Sequence, residues 1–407
     1  MVNVIGLGYI GLPTALMLAS HGVEVVGTDY NKELVESLNA GVPTFKEDGL
    51  DELFKNAVDA GIKFTNNYQH TDIYIVAVPT PYNKFSKKVD ACYVKAAVND
   101  VLDVCNAGAT IIVESTVSPG TIDKEVRPLI AERGFITGKD VHLVHAPERI
   151  LPGNMIYELI NNDRTIGADE PNVAVRVRDI YASFCKGEIV LTDIRTAEMT
   201  KVVENTFRAV NIAFANELSR ICRHDNMDVY EIIRICNKHP RVNIMNPGPG
   251  VGGHCISVDP WFLVGDYPQL TKVIGESMKV NDSQPDFVLE RLQVIMQENN
   301  IKDASRVGLY GITYKENVDD YRDSPTLQLL ESQARHLAAP LKCYDPFLEN
   351  MKLTESQYSD FDAFINDVDI VVVMVKHDHI CHNWDRLKDK IVLDCHNICP
   401  LPNTYRL

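Results

Sequence analysis

The stretch Val2-Asn3-Val4-Ile5-Gly6-Leu7-Gly8-Tyr9-Ile10-Gly11 decides the fold of the first part of this chain. A short apolar run ends in G-x-G-x-x-G, and apolar residues then recur at helical spacing, at Leu12, Ala15, Leu16, Leu18 and Ala19. Val23-Glu24-Val25-Val26-Gly27-Thr28-Asp29 follows, a second strand candidate that closes on a carboxylate. Strand, glycine turn, helix and strand make a βαβ unit. Gly6, Gly8 and Gly11 permit a tight turn and let backbone N–H groups at the helix N-terminus approach a pyrophosphate. Asp29, eighteen residues after Gly11, is placed to bind the hydroxyls of an adenosine ribose. It would repel a 2′-phosphate, which predicts NAD rather than NADP.

Ile73 to Val78 and Thr110 to Ser115 are further strand candidates, apolar runs rather than alternating ones. Such runs indicate a parallel sheet covered on both faces. From Arg195 to Asn226 the pattern is helical without a glycine or proline, and shorter helical patterns cover Val229 to Lys238 and Asp286 to Asn299. The opening theme then returns: Arg306 to Gly311 reads as strand and turn, Leu341 to Tyr344 as a strand closing on Asp345, and Ile370 to Val375 and Ile391 to Asp394 as strands. Gly8 and Gly11 have no counterparts at the later turn. The expected architecture is α/β: two Rossmann-like doubly wound parallel-sheet domains, residues 1–193 and 301–407, joined by a central helical domain, residues 194–300.

Bulk properties narrow the functional classes. At 407 residues the chain exceeds what one core usually organises. A formal charge of −16 argues against a nucleic acid or a membrane surface as general partner. No stretch is long and apolar enough to span a bilayer, and Met1 leads straight into a strand candidate with no signal peptide. Ten cysteines lack framework spacing, so they are read as reduced and the protein as cytoplasmic.

Two further segments carry chemistry. Asn246-Pro247-Gly248-Pro249-Gly250-Val251-Gly252-Gly253-His254-Cys255-Ile256-Ser257-Val258-Asp259-Pro260 is a constrained loop in which backbone can crowd a ligand. Structural cysteines sit within apolar helices or strands, as Cys222 and Cys236 do in the sequence pattern. Cys255 instead ends a glycine loop beside His254 and near Asp259, the setting of a reactive thiol. On the long helix, Lys201, Asn205 and Arg208 share one face. That face reads either as a solvated, salt-bridged surface or as a place where an ammonium and an amide stabilise an oxyanion. His377-Asp378-His379-Ile380-Cys381-His382 fits no familiar metal spacing and is read as a polar loop, so no metal is expected.

With these segments in hand, the chain resembles the UDP-glucose/GDP-mannose dehydrogenase family over essentially its whole length. The matching features run in order. They are the glycine fingerprint, Val78-Pro79-Thr80-Pro81, Glu114-Ser115-Thr116-Val117, Ala146-Pro147-Glu148-Arg149, Lys201 with Asn205, the loop with Cys255 and Asp259, Tyr314-Lys315, and Arg322-Asp323-Ser324-Pro325. Within the family, His239-Pro240-Arg241-Val242-Asn243 and the run from Gly250 through Phe262 are most like those of members acting on UDP-N-acetyl-D-mannosamine. Members acting on UDP-glucose carry other residues where this chain has His254 and Val258.

The resemblance implies site residues by position. Gly6, Gly8, Tyr9, Ile10, Gly11, Asp29, Thr80 and Thr116 would line the NAD site, with Arg322 reaching it from elsewhere in the assembly. Arg149, Ile150, Lys201, Asn205, Arg208, His239, Arg241, Gly252, Tyr314 and Lys315 would surround a UDP-linked amino sugar. It also implies a homodimer or dimer of dimers built on the helical domain, with His239 and Arg241 supplied by the neighbour. Cys255 would capture an aldehyde and carry it to a thioester, with Lys201 and Asn205 stabilising charge and Asp259 and Glu148 handling protons. The alternative substrates for the same chemistry are UDP-N-acetylglucosamine and UDP-glucose. Two readings of another kind compete: a non-catalytic NAD-binding regulator, which has no use for Cys255, Lys201 and Asp259 together, and a two-electron alcohol dehydrogenase, which would make one NADH per sugar.

Overall fold

Central strands buried on both faces build both sheets of this protein. In the computed structural model, which describes residues 1–333 and 339–407, the chain divides into two compact units, Met1–Glu204 and Asn205–Leu407. The first holds β1 (Val2–Ile5), β2 (Val25–Thr28), β3 (Lys63–Thr65), β4 (Ile73–Val76), β5 (Ala109–Val113), β6 (Val141–His145), β7 (Arg164–Ala168) and β8 (Ile189–Thr192). Their spatial order is β3-β2-β1-β4-β5-β6-β7-β8. Val2 and Val4 of β1 pack on one face with Leu12 and Leu16 of the helix Gly11–Ser20, whereas Ile5 joins Tyr74, Val76 and Ile111 on the other. Asn3, fully buried between them, donates its amide to Val26 O at 2.9 Å and Thr28 Oγ1 at 2.8 Å. That pairing satisfies a polar group which would otherwise cost stability.

Every pairing in this sheet is parallel except β6 with β7, where His145 lies opposite Gly167. Residues 146–163 return from the edge at which β6 ends rather than crossing a face, so β7 runs back beside β6. The register carries Arg164, three residues before Gly167, alongside Glu148, three residues after His145. Strands β4 and β5 end earlier than their apolar runs suggest. The N–H groups of Glu114 and Ser115 both turn onto Val76 O, and the chain beyond becomes loop.

Helices occupy the sequence between the sheets: Ile194–His224, Val229–Cys236, Asp259–Asp266, Lys272–Asp282 and Gln284–Glu298. The first matches the uninterrupted pattern from Arg195, and it stops before Asn226, whose φ of +55° is left-handed. The second sheet comprises β9 (Val307–Tyr310), β10 (Lys342–Tyr344), β11 (Gln357–Tyr358), β12 (Ile370–Val373), β13 (Ile391–Asp394) and β14 (Thr404–Arg406), in the order β11-β10-β9-β12-β13-β14. All of its pairings are parallel. Leu309 and Val372 face one apolar layer, and Tyr310, Val371 and Val373 the other. Two parallel α/β sheets separated in sequence by helices are thus the architecture that the strand and helix patterns predict. Among the described residues, no helix is long and apolar enough to cross a membrane.

Candidate active site

The first sheet reverses its strand order between β1 and β4, and the glycine turn follows β1 at that point. Ligands bind doubly wound sheets at this location, beyond the carboxyl ends of the strands. Gly6 has φ +87°, and a Cβ there would fall 2.7 Å from Ala77 O. A Cβ on Gly11 would lie 1.9 Å from Gly6 O, so the turn closes only with glycine at both places. Gly8 is exposed, and no protein atom lies within 4 Å of where its Cβ would be. The helix Gly11–Ser20 has no side-chain cap and no acidic residue in its first turn, so no carboxylate competes with an anion for the positive end of the helix. Asp29 Oδ2 accepts from Leu7 N at 2.8 Å and Oδ1 from Asn31 N at 2.9 Å, so the half-buried carboxylate is braced against the turn. Half-buried Tyr9 and Ile10 follow the turn, and the Tyr9 ring lies 4.5 Å from that of Phe45. Thr80 and Thr116 lie just past β4 and β5, the neighbouring strands. A cradle of this shape fits a dinucleotide pyrophosphate with a ribose at Asp29.

At the same edge of the sheet, Glu148 is buried and ion-paired with Arg164. Arg164 Nη1 also lies 3.6 Å from Glu114 Oε1, which accepts from Tyr181 OH at 3.0 Å. Tyr181 and Phe184 cover the guanidinium, at 4.5 and 5.3 Å from their ring centres. Burial pushes the Glu114 carboxyl up to about 7 despite Arg164, with the charge of Glu148 adding to the rise. Sequence reasoning assigns no role to Arg164; only the antiparallel return of β7 brings it to Glu148. Arg149 donates to Asp163 O and Thr165 Oγ1, both at 2.8 Å, and pairs with Glu204 at 2.7 Å. Ile150 beside it is buried. Lys201 is 7% exposed and has no hydrogen-bond or ion-pair partner among the described residues. A solvated surface face is therefore not what this helix face makes.

In the second unit, Asn205 donates to Asp259 Oδ2 at 2.6 Å, with both side chains buried. Asp259 opens the helix Asp259–Asp266, and its N–H donates to Cys255 O at 2.8 Å, so the half-buried cysteine sits one turn ahead of that acid. The glycines earlier in the loop let two distant segments press on it. A Cβ on Gly252 would meet Asp323 O and Tyr314 Cβ at 2.7 Å, and one on Gly253 would meet the Tyr314 ring at 2.8 Å. Gly253 N donates to Arg322 O at 2.9 Å. Cys255, Tyr314 and Arg322, far apart in sequence, thus belong to one packed group. Burial first, and the Arg322 cation second, push the His254 imidazole below its ordinary value, so it is neutral near pH 7. Arg322 itself forks onto Asp320, its Nε 2.9 Å from Oδ1 and its Nη2 2.6 Å from Oδ2. The acidic run around it therefore orients a cation. Tyr314, Lys315 and Arg208 are half-buried, while His239 and Arg241 stand exposed after the helix Val229–Cys236.

Among the described residues, no group of three or more His, Cys, Asp or Glu side chains could hold a metal ion. The residues from His377 to His382 do not form a simple polar loop either: His377 is fully buried, and a short helix, Asp378–Cys381, follows it.

Three family models match consecutive parts of the chain. They describe the UDP-glucose/GDP-mannose dehydrogenase family: its NAD binding domain over residues 1–185, its central domain over 195–283 and its UDP binding domain over 308–400. The UDP-N-acetyl-D-mannosamine dehydrogenase of Methanocaldococcus jannaschii is 40% identical over 409 residues, covering 98% of this chain and 92% of that protein. The NDP-N-acetyl-D-galactosaminuronic acid dehydrogenase of Ralstonia nicotianae is 37% identical over 410 residues, covering 97% and 95%. The solved structure of the UDP-N-acetyl-mannosamine dehydrogenase from Staphylococcus aureus superposes with a TM-score of 0.88 at 37% identity, covering 100% of this chain and 97% of that one.

Proposed function

The chain belongs to the UDP-glucose/GDP-mannose dehydrogenase family and is an NAD-dependent nucleotide-sugar dehydrogenase; from that premise we propose that it oxidises the C6 alcohol of UDP-N-acetyl-D-mannosamine to the carboxylate, in a four-electron reaction that Cys255 keeps on the enzyme. The observation that carries this reading is the group around Cys255: a thiol one turn ahead of a buried Asp259 that Asn205 holds at 2.6 Å. A regulator that only binds NAD has no use for it.

Gly6, Gly8, Tyr9, Ile10, Gly11, Asp29, Thr80 and Thr116 hold NAD, and Arg322 completes that site from a neighbouring subunit. Bound NAD accepts the hydride given up by C6 in each of the two oxidations. The chain's own groups do the rest. Arg149, Ile150, Arg208, Gly252, Tyr314 and Lys315 bind and orient the nucleotide sugar, together with His239 and Arg241 of the neighbour. After the first oxidation the Cys255 thiolate adds to the aldehyde carbon, forming a C–S bond and an oxyanion that Lys201 and Asn205 stabilise. After the second oxidation the thioester is cleaved by water; the thiolate leaves, and Asp259 and Glu148 take up and return the protons. The buried Lys201 ammonium, which has no hydrogen-bond or ion-pair partner among the described residues, suits this role, because a developing negative charge would supply one.

Dimerisation is part of the proposal. Phe207, Phe214 and Ile221, spaced by seven residues on the long helix, are 68%, 53% and 49% exposed. An apolar stripe of this period suits the seam of a homodimer or of a dimer of dimers. The ten free cysteines suit the cytoplasm. The test is a panel of UDP-N-acetylmannosamine, UDP-N-acetylglucosamine, UDP-N-acetylgalactosamine and UDP-glucose, followed by NADH absorbance. Fastest turnover of UDP-N-acetylmannosamine is expected; faster turnover of UDP-glucose would overturn the assignment.

A further inference from the structure

The second sheet contains a buried acid–imidazole pair that the chemistry above does not use. Asp345 follows β10 and His377 follows β12, and both are fully buried. Asp345 Oδ2 accepts from Ile312 N at 2.6 Å and Thr313 N at 2.9 Å and lies 3.2 Å from His377 Nε2, while Oδ1 accepts from Phe347 N at 2.8 Å. His377 Nδ1 accepts the Asn317 N–H at 2.9 Å. That nitrogen therefore carries no proton, and the neutral ring directs its Nε2–H at Asp345 and at Thr313 Oγ1, 3.3 Å away. Thr313 Oγ1 donates onward to Lys315 O at 2.9 Å. The Phe347 ring lies against the imidazole, with centroids 5.0 Å apart.

Apart from the Phe347 bond, which braces Asp345 itself, these bonds reach one short segment, residues 312–317, which belongs to no helix or strand. It is bounded by two left-handed residues, Gly311 at φ +91° and Asn317 at φ +58°. Backbone of this shape cannot satisfy its N–H groups in a sheet ladder; Tyr314 N donates to Asp320 O at 3.0 Å, and the N–H groups of Ile312, Thr313 and Asn317 take side-chain acceptors. Asp345 supplies them at the start of the segment and His377 at its end. Tyr314 and Lys315 lie between.

We propose that Asp345 and His377 are positioning residues for nucleotide-sugar binding, holding residues 312–317 in the conformation that presents Tyr314 and Lys315 to the uridine diphosphate. This rests on the reading that Tyr314 and Lys315 bind that group. An imidazole serving only to fill the core would do so as well if replaced by a ring of similar size; an imidazole that accepts the Asn317 N–H would not.

The experiment measures UDP affinity by calorimetry, together with kcat, KM and NAD affinity, on the full-length enzyme and four variants. Lys315→Ala tests the underlying reading: it should weaken UDP binding, and unchanged affinity would refute the role of Lys315 itself. His377→Phe keeps volume but removes the acceptor. It should weaken UDP binding and raise KM about tenfold or more, with kcat and NAD affinity within about twofold. In His377→Asn the side-chain oxygen stands where Nδ1 did, and most of the affinity should return. Thr313→Val, a gentler change that severs the link to Lys315 O and the longer contact with His377 Nε2, should shift KM in the same direction by about threefold, and it decides the matter if His377→Phe does not fold. With Lys315→Ala weakened, the proposal is overturned by unchanged UDP affinity in His377→Phe or, failing that protein, in Thr313→Val. It is equally overturned if the Phe and Asn variants behave alike, or if kcat and NAD affinity fall together with UDP affinity.

Discussion

The turns after β1 and β9 are built alike and used differently. Each follows the central strand of a doubly wound sheet, each begins with a glycine at positive φ (+87° at Gly6, +91° at Gly311), and each is gripped by the aspartate that closes the neighbouring strand. Asp29 takes one N–H of its turn, that of Leu7, and remains half-exposed. Asp345 takes two, those of Ile312 and Thr313, and is sealed beneath His377. Past Gly6 the backbone continues through Gly8 into open space and an uncapped helix. Past Gly311 the backbone is instead held by the carboxylate and the imidazole. A doubly wound sheet supplies the location for a dinucleotide, and glycine spacing decides whether the location is left open.

The largest effect expected from breaking this comparison is at Gly11, where an added Cβ would fall 1.9 Å from Gly6 O. Gly11→Ala should cost about 3 kcal/mol or more of stability in the first unit and abolish measurable NAD binding, read by calorimetry and thermal unfolding. Gly8→Ala and Gly311→Ala form a matched pair with opposite readouts. Alanine at 8 meets no protein atom within 4 Å, so melting should hold while NAD affinity falls about tenfold or more. Alanine at 311 is strained at φ +91° and meets Val375 Cβ at 2.5 Å, so melting should fall with NAD affinity unchanged. Next, Asp29→Ala should narrow the preference for NAD over NADP by about tenfold, since it removes a ribose acceptor and a repulsion. A variant that keeps the full preference contradicts the role of Asp29.

Smaller still is a pH effect at Glu198, whose carboxylate accepts from Gly120 N at 2.5 Å and Ile122 N at 2.9 Å. Burial raises its pKa from 4.5 to about 7 against the pull of those two donors. Between these values the folded unit binds a proton that the unfolded chain lacks. The resulting stabilisation is complete below the lower value and is lost as pH rises through the upper one. Glu198→Gln should therefore flatten the fall in melting temperature between about pH 5 and pH 8. An unchanged slope would show that Glu198 is ionised throughout.

Much of this organisation is legible in the sequence, because it rests on local signals. The apolar run Ile391 to Asp394 is β13, and the uninterrupted pattern from Arg195 is the long helix. Signals that depend on topology are not legible. Arg164 meets Glu148 only because β7 returns antiparallel, which no periodicity announces. The helices Asp259–Asp266 and Lys272–Asp282 are broken in pattern by Pro260, Gly265 and Gly275 and hidden behind a glycine-rich loop. His377, in a run rich in polar residues, is buried because its two ring nitrogens satisfy Asn317 and Asp345, partners 60 and 32 residues away.

The claim on which the functional account turns is that Cys255 carries the substrate from aldehyde to carboxylate. It is tested most directly by counting NADH per molecule of UDP-N-acetylmannosamine consumed, in the wild type and in Cys255→Ser, with the protein mass recorded after quenching. Serine keeps the shape but is a poorer nucleophile and leaving group. Two NADH and carboxylate are expected from the wild type. The variant should show a steady rate lower by several orders of magnitude, with either released aldehyde or a slowly hydrolysed ester on the serine. Two NADH per sugar at the wild-type rate from Cys255→Ser would contradict it.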